Sequence, residues 1–130
     1  MTGIPLKRIL LVEDSKSDVL LIKRNLRNAL FGEPIEVIDV PRMADALEQI
    51  KEKAFDLIIL DLSLPDIEGS ASVAALSAYA RSVPVIVHTG TQSMKAKEEA
   101  IMCGARQFLI KDKESPLSFR LRIQQALENA

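Results

Sequence analysis

The sequence lacks the features of disulfide-stabilised and membrane-spanning proteins. It contains one cysteine, Cys103, and no tryptophan among its 130 residues. A single cysteine excludes an internal disulfide, so a reducing, cytoplasmic location is expected. No apolar stretch approaches the roughly 20 residues of a membrane span, and no apolar signal region precedes the first predicted strand.

Neither sign of charge is in excess. Lys and Arg number 17 and Asp and Glu number 18, which gives a formal net charge of -1. We therefore predict no electrostatic attraction to nucleic acid or to an anionic membrane. The composition is 48% hydrophobic and 27% charged, as in ordinary globular domains. This length can bury the core of one domain but not of two, so a single domain is predicted over residues 1–130.

Five short apolar runs alternate with five longer amphipathic stretches. The predicted strands are residues 6–12, 35–40, 56–61, 84–88 and 106–110. The predicted helices are residues 16–30, 42–52, 69–80, 92–103 and 116–129. Val, Ile and Leu dominate the runs without strict alternation, which is typical of parallel strands covered on both faces. Strands that alternate with helices favour right-handed βαβ units, so we predict an α/β fold with a doubly wound parallel sheet.

Chemically active side chains stand where the apolar runs end. They are Glu13 and Asp14 after the first run, Asp61 at the third, Thr89 at the fourth and Lys111 at the fifth. In an open parallel sheet, ligands bind beyond the carboxyl ends of the strands. Carboxylates suit Mg²⁺, and a lysine can neutralise phosphoryl oxygens. Because an Asp carboxylate can also accept a phosphoryl group as an acyl phosphate, the pattern predicts a site for a divalent metal and a phosphoryl group.

Four segments carry a resemblance to a known family. They are residues 9–14, residues 61–66 together with Gly69, residues 85–90 and residues 104–111. On these motifs, in this order, the chain resembles the receiver domain of the two-component response regulators over essentially its whole length. The resemblance implies a flavodoxin-like (βα)5 fold, a five-stranded parallel sheet with strand order 2-1-3-4-5.

The resemblance also implies the metal and phosphoryl sites. Asp61 falls where the family carries its phosphoacceptor. Glu13 and Asp14 match the acidic pair that binds Mg²⁺, with Asp61 as a further ligand. Ser63 matches the position whose backbone carbonyl also ligates the metal.

Three further residues match the positions that respond to the phosphoryl group. Lys111 matches the phosphate-binding lysine, Thr89 the switch hydroxyl, and Phe108 the aromatic residue that turns inward when the hydroxyl engages the phosphoryl group. One departure concerns the residue after the lysine, where the family commonly has a proline, often after a cis bond, and this chain has Asp112. A cis bond before a non-proline residue costs roughly 2.5–4 kcal/mol, so we predict a trans bond and a loop of different shape.

The implied partners follow from this chemistry. The phosphoryl donor would be a histidine kinase or a histidine phosphotransfer protein. Phosphorylation would bias the surface formed by the fourth helix, fifth strand and fifth helix toward binding a downstream protein. We predict a stand-alone module, either a monomer or a weak phosphorylation-dependent dimer, that is not an enzyme and assists only its own phosphorylation and dephosphorylation.

Two other functions remain open. The first is an interaction domain of the same fold that works without phosphorylation. The second is an enzyme that uses an aspartyl nucleophile on outside substrates, although Ser63 stands where a second aspartate would be needed as the general acid. Stabilisation by Mg²⁺ would argue against the first function, and turnover of a generic phosphate ester would favour the second.

Individual residues also have ordinary structural interpretations. Glu13 and Asp14 could cap the first helix with Ser15, and Thr89 could cap the fourth. Phe108 could be plain core. The remaining expectations are that His88 is a strand residue near the rim, that Asp66 and Glu68 are loop acids, and that Leu117 and Leu121 lie opposite Phe119 and Ile123 on the last helix.

Overall fold

The five apolar runs form the five strands of one parallel sheet. The structure, a computed structural model, describes residues 5–128. The strands are β1 (Lys7–Val12), β2 (Ile35–Val40), β3 (Leu57–Leu60), β4 (Val85–Thr89) and β5 (Gln107–Ile110). Their order across the sheet is β2-β1-β3-β4-β5, and all neighbouring strands are parallel. The predicted doubly wound fold and strand order are confirmed.

Five helices connect and cover the strands. They are α1 (Lys16–Ala29), α2 (Met43–Glu52), α3 (Ser70–Tyr79), α4 (Met94–Met102) and α5 (Pro116–Glu128). Every predicted helix and strand is present, and boundaries differ from the prediction by one or two residues; residue 129 lies outside the described range. Within residues 5–128, no helix combines the length and apolarity needed to cross a bilayer.

The sheet has a buried layer on each face. The layer toward α1 and α5 takes its strand residues from Ile9, Leu11, Leu57, Ile59, Ile86 and Leu109. The layer toward α2, α3 and α4 takes its strand residues from Leu10, Val12, Val40, Ile58, Leu60, Val85, Val87 and Phe108. Successive strand residues point to opposite faces, so an uninterrupted apolar run is what two covered faces require. Each fully buried Leu or Ile contributes about 1.5–3 kcal/mol relative to an exposed one.

Serines begin three of the helices. The backbone N–H of Asp18 donates to Ser15 Oγ at 3.4 Å, that of Ala96 to Ser93 Oγ at 3.2 Å, and that of Ser118 to Ser115 Oγ at 3.0 Å. Helix α4 therefore begins two residues later than predicted, because Ser93 rather than Thr89 supplies its cap. The last turn of α4 closes at Gly104, whose φ of 119° is readily adopted only by glycine.

Helix α2 has no side-chain cap of its own and takes one from the loop after β3. Both oxygens of Asp66 accept hydrogen bonds, from Met43 N–H at 2.9 Å and from Ala44 N–H at 3.0 Å. These two bonds lower the pKa of Asp66. Asp66 is an exposed loop acid, as predicted, but its capping role was not predicted, because the contact joins residues 22 or more positions apart in the sequence.

Substitution of Asp66 by Ala should therefore destabilise the protein. We expect a loss of about 1 kcal/mol in the free energy of unfolding, the usual effect of removing a helix cap. Urea titration followed by far-ultraviolet circular dichroism measures it, since the chain has no tryptophan. Asp66→Asn, which keeps an acceptor oxygen, is the control and should lose less. Equal stability of Asp66→Ala and the wild type would contradict the capping role.

Helix α5 separates its two apolar pairs as expected and shows which pair is buried. Phe119 and Ile123 face the sheet and are 5% and 0% exposed. Leu117 and Leu121 are 64% and 50% exposed.

Candidate functional site

Three of the predicted site residues stand one position beyond the end of a strand. The backbone N–H groups of Glu13, Asp61 and Lys111 donate to carbonyl groups of neighbouring strands at 2.9, 3.0 and 2.8 Å. These bonds continue the ladder of the sheet past the strand ends. Because strand side chains alternate with a period of two, the three residues continue the row that faces α1 and α5. Their ionic groups meet at one edge of the sheet.

The three acids form one cluster. Glu13, Asp14 and Asp61 each offer a carboxylate oxygen, and these oxygens lie within 4.8 Å of one another. Glu13 and Asp61 are buried, at 3% and 5% exposure, whereas Asp14 is exposed. Carboxylates held this close repel one another and favour a bound cation. The cluster is thus open to solvent on the Asp14 side.

Lys111 lies against this cluster. Its Nζ donates to Asp18 Oδ2 at 2.8 Å and to Asp61 Oδ2 at 3.3 Å. It also forms an ion pair with Glu13 Oε1 at 2.9 Å. The side chain of Lys111 is only 18% exposed, so these contacts operate with reduced solvent screening. One ammonium group therefore faces three carboxylates.

The electrostatics of the site show an excess of negative charge. Burial raises the pKa of Glu13, the charge of Asp61 adds to this, and the contact with Lys111 opposes it. Burial works to lower the pKa of Lys111, but its contacts with Asp18, Glu13 and Asp61 outweigh that effect and raise the pKa well above its usual value. The hydrogen bond from Lys111 lowers the pKa of Asp18. A single lysine leaves the group of carboxylates short of positive charge.

The acidic cluster fits a magnesium ion. Glu13 Oε1 is buried and lies 2.9 Å from Lys111 Nζ, an ammonium group that it shares with Asp61 and Asp18. One shared positive charge does not neutralise these clustered carboxylates, which favours a further cation. All the donors are hard oxygens, which Mg²⁺ prefers, and the exposed side leaves room for water ligands. Glu13, Asp14 and Asp61 could hold this ion.

The loop after Lys111 has a shape that a proline could not adopt. The Lys111–Asp112 peptide bond is trans, as predicted, and Asp112 has a φ of 66°. Lys113 N–H donates to the Ile110 carbonyl at 3.1 Å, which closes a tight turn over Lys111 and Asp112. Aspartate tolerates a positive φ at the third position of such a turn, whereas proline is restricted to a φ near -65°. With this turn in place of a proline, Lys111 Nζ lies 3.3 Å from Asp61 Oδ2.

Thr89 and Phe108 are buried strand residues of β4 and β5. Thr89 is the last residue of β4 and is 1% exposed. Phe108 is 7% exposed and already packs inward, in the core layer toward α2, α3 and α4. The movement predicted for Phe108 stays a prediction. So does the metal contact predicted for the backbone carbonyl of Ser63, an exposed residue whose one strand-like pairing is with Glu68.

Asp18 belongs to this site, although the sequence analysis did not identify it. It lies in the first turn of α1 and makes the shortest contact of Lys111, at 2.8 Å. In the sequence it reads as an ordinary acidic residue near a helix N-terminus, which the helix dipole favours. The spacing of 93 residues between the two partners gives no local signal of their contact.

His88 lies next to the site, beneath α5. It is a buried strand residue, as predicted, and its ring meets that of Phe119 edge-on at 6.3 Å between centroids. Its Nδ1 atom is buried without a hydrogen-bond partner. Burial lowers the pKa of His88, the charge of Lys111 lowers it further, and the charges of Asp61, Asp18 and Asp112 oppose this. The ring is therefore neutral near pH 7.

We expect His88 to make the protein less stable in mild acid. Below the unfolded-chain pKa of about 6.5, His88 binds a proton in the unfolded chain more readily than in the folded chain. The free energy of unfolding therefore decreases as the pH is lowered, by at most about 1.4 kcal/mol per pH unit. Urea unfolding at pH 7.5, 6.5 and 5.5 measures this loss. His88→Gln should show a smaller loss over the same range. Parallel curves for the two proteins would contradict the assignment to His88.

Comparison with known proteins places the chain in one family. The family profile of the response regulator receiver domain matches residues 9–121. The transcriptional regulatory protein ZraR of Salmonella typhimurium is 33% identical over 122 residues, which are 94% of this chain and 26% of ZraR. The chain thus spans about a quarter of the length of this curated relative.

Solved structures agree with this match. The signal receiver domain of a LuxO repressor protein from Vibrio parahaemolyticus is 30% identical, with a TM-score of 0.82 over 95% of this chain and 92% of that one. The phosphorylated cyanobacterial phytochrome response regulator RcpA is 26% identical, with a TM-score of 0.75 over 95% and 92% of the two chains. With the sheet order and the acidic edge described above, these matches show that the chain belongs to the response regulator receiver domain family of two-component systems.

Proposed function

We propose that Asp61 accepts a phosphoryl group from a phosphohistidine donor, in a reaction that depends on Mg²⁺. The observation that carries this proposal is the meeting of three carboxylates and the Lys111 ammonium group at one sheet edge. Asp61 belongs to the cluster and accepts a hydrogen bond from Lys111 at 3.3 Å. The phosphorylated state of RcpA, to which this chain is similar, supports the same chemistry here.

The metal would be held by Glu13, Asp14 and Asp61, together with the backbone carbonyl of Ser63. When bound, Mg²⁺ supplies positive charge that offsets the charge of the incoming phosphoryl oxygens. Glu13 and Asp14 would act only as ligands, which leaves an oxygen of Asp61 as the nucleophile. This division of roles agrees with the burial of Glu13 and with the exposure of Asp14 toward water ligands.

The transfer step needs no separate general base from the protein. A carboxylate oxygen of Asp61 forms a bond to phosphorus while the phosphorus–nitrogen bond of the donor imidazole breaks, and the leaving imidazole takes a proton. Lys111 would bind a phosphoryl oxygen and Thr89 would donate its hydroxyl proton to another. Catalysis of this kind rests on positioning and electrostatic stabilisation.

The phosphorylated domain would signal through a surface. Engagement of Thr89 by the phosphoryl group would stabilise one of two arrangements of the face formed by α4, β5 and α5. Phe108 would be the side chain that changes position between the two arrangements. The donor would be a histidine kinase or a histidine phosphotransfer protein, and the output would be a downstream protein. The stand-alone arrangement, the cytoplasmic location and the monomer or weak dimer stay predictions.

Intact mass measurement tests the proposal. The protein is incubated with Mg²⁺ and acetyl phosphate, and a second sample contains EDTA. A single phosphoryl adduct that appears only with Mg²⁺ is the expected result. A phosphohistidine-bearing phosphotransfer protein serves as the donor in a parallel reaction, because acetyl phosphate alone does not report a requirement for a protein donor.

Two results would favour the other functions. No adduct with either donor would favour an interaction domain that works without phosphorylation. Continuous release of phosphate from a generic phosphate ester such as p-nitrophenyl phosphate would favour an enzyme that acts on outside substrates.

A further inference from the structure

Lys111 makes its shortest contact with a residue outside the proposed metal and phosphoryl sites. Its Nζ is 2.8 Å from Asp18 Oδ2, compared with 2.9 Å from Glu13 and 3.3 Å from Asp61. Asp18 is not one of the three carboxylates that could share a metal ion. It approaches the ammonium group from helix α1, whereas the other two partners follow strands of the sheet.

The three contacts of Lys111 would respond differently to a cation. Glu13 and Asp61 supply the oxygens that a divalent ion would take, and Asp61 would also carry the phosphoryl group. A carboxylate that ligates a divalent cation attracts a neighbouring ammonium group less strongly. Among the described carboxylate partners of Lys111, Asp18 is the one that would neither ligate the metal nor carry the phosphoryl group.

Asp18 is also well placed to hold the lysine in one position. Its backbone N–H donates to Ser15 Oγ, and the adjacent Val19 donates to the Ser15 carbonyl at 2.9 Å and is buried in the core. The first turn of α1 is therefore held on both the cap and the core side. Lys111, in contrast, begins the tight turn that continues through the exposed Asp112. The backbone of Lys111 is fixed by the sheet and this turn, so a contact with Asp18 would fix the remaining free part, the end of its side chain.

From this arrangement, and resting on the proposed function, we infer that Asp18 is a positioning residue for Lys111. It holds the ammonium group at the phosphoryl-binding edge after Glu13 and Asp61 have been taken by the metal and the phosphoryl group. Without it, the lysine side chain retains its charge but loses the fixed partner that defines its position.

The first test measures phosphorylation rates. Asp18→Asn removes the charge with little change in shape, and the rate of adduct formation is measured over a series of Mg²⁺ and acetyl phosphate concentrations. We expect the plateau rate to fall roughly ten- to a hundredfold, because a small misplacement of a catalytic group reduces a rate by about this much. The Mg²⁺ concentration for half-saturation should change much less. Asp18→Glu should recover part of the plateau rate.

Two comparisons separate positioning from a general effect. Glu36→Gln is the matched control, because it removes one carboxylate from an ion pair with Arg8 at the opposite end of the strands. In the Lys111→Met background, Asp18→Asn should have no further effect on the plateau rate. An unchanged rate for Asp18→Asn, or the same fold loss with and without Lys111, would overturn the inference.

A second test does not depend on phosphorylation. Double-mutant cycles on urea unfolding measure the coupling of Lys111 to Asp18 and to Glu13, with and without saturating Mg²⁺. We expect the coupling to Asp18 to persist with Mg²⁺, at about threefold or more in the unfolding equilibrium constant, and the coupling to Glu13 to decline. Lys111→Gln replaces Lys111→Met if the latter does not fold. Loss of the coupling between Asp18 and Lys111 on addition of Mg²⁺ would overturn the inference, even if phosphorylation of Asp61 is established. Failure to phosphorylate the wild type would count against the proposed function alone.

Discussion

Asp61→Asn is expected to abolish Mg²⁺-dependent phosphorylation of this protein. Asparagine is close to aspartate in size, so the packing of the site changes little, but the amide oxygen is far less nucleophilic than a carboxylate oxygen. Asp61 is 5% exposed, belongs to the acidic cluster and accepts a hydrogen bond from Lys111. Glu13 shares the burial and the contact with Lys111 but would serve as a metal ligand, so we expect no replacement acceptor at a comparable rate. Intact mass after incubation with acetyl phosphate should show no adduct on the variant.

A matched control for this experiment lies at the other end of the same strand. Asp56 immediately precedes β3 and accepts a hydrogen bond from Arg8 N–H at 2.8 Å. Asp56→Asn keeps an acceptor oxygen and should leave phosphorylation unchanged. Fragmentation of the peptide between Lys53 and Arg81 distinguishes Asp61 from the other acidic residues within it. Phosphate on another residue of the wild type, or an undiminished adduct on Asp61→Asn, would refute the assignment.

Lys111→Met should destabilise the protein strongly unless Mg²⁺ is present. Methionine replaces the length of the lysine side chain but not its charge, which leaves Glu13 and Asp61 buried without their cation. Breaking a fully buried ion pair costs roughly 3–5 kcal/mol. Because Lys111 is 18% exposed and Asp14 opens the cluster to solvent, we expect about 2–3 kcal/mol in metal-free buffer at pH 7.5.

Added Mg²⁺ should recover much of this loss. A cation held by the three carboxylates replaces the missing positive charge, and binding to the folded state raises its stability. Lower pH should also reduce the loss. Burial raises the pKa of Glu13, so this carboxyl group takes up a proton more readily in the folded chain, and its unfavourable contribution declines as pH falls through that raised pKa.

The control for Lys111→Met is its exposed neighbour Lys113. Lys113→Met removes the same charge two residues away, and its side chain lies outside the acidic cluster. We expect its free energy of unfolding, measured by urea titration with EDTA and with Mg²⁺, to stay near that of the wild type. Equal losses for the two variants, or a loss at Lys111 that Mg²⁺ does not reduce, would contradict the electrostatic explanation.

The fold could be predicted because its signals are local. An uninterrupted apolar run such as residues 57–60 is typical of an element covered on both faces, and its short length favours a strand. Ser15 and Ser115 begin α1 and α5 by accepting hydrogen bonds from residues three positions later, so each cap and its partner lie close together in the sequence. The alternation of these elements then restricts the topology, since βαβ connections are almost always right-handed.

The predicted site residues were found for the same reason. Polar residues that end buried strands must gather at one edge of a parallel sheet. This rule brings together Glu13, Asp61 and Lys111, and the structure shows their ionic groups in contact. The sequence also showed that Asp112 replaces the proline that is common in the family. It did not predict the tight turn that Lys111 and Asp112 form.

The sequence by itself determined the strands, the helices, their alternation along the chain and the edge at which the acids and the lysine meet. Only the tertiary structure decided which pair of α5 is buried, that Asp66 caps α2, and that Asp18 holds Lys111. These three outcomes depend on the distance and angle between elements that are far apart in the chain. The sequence around a helix or loop residue does not indicate which distant element its side chain will contact. That contact depends on how α1, α2 and α5 pack against the sheet.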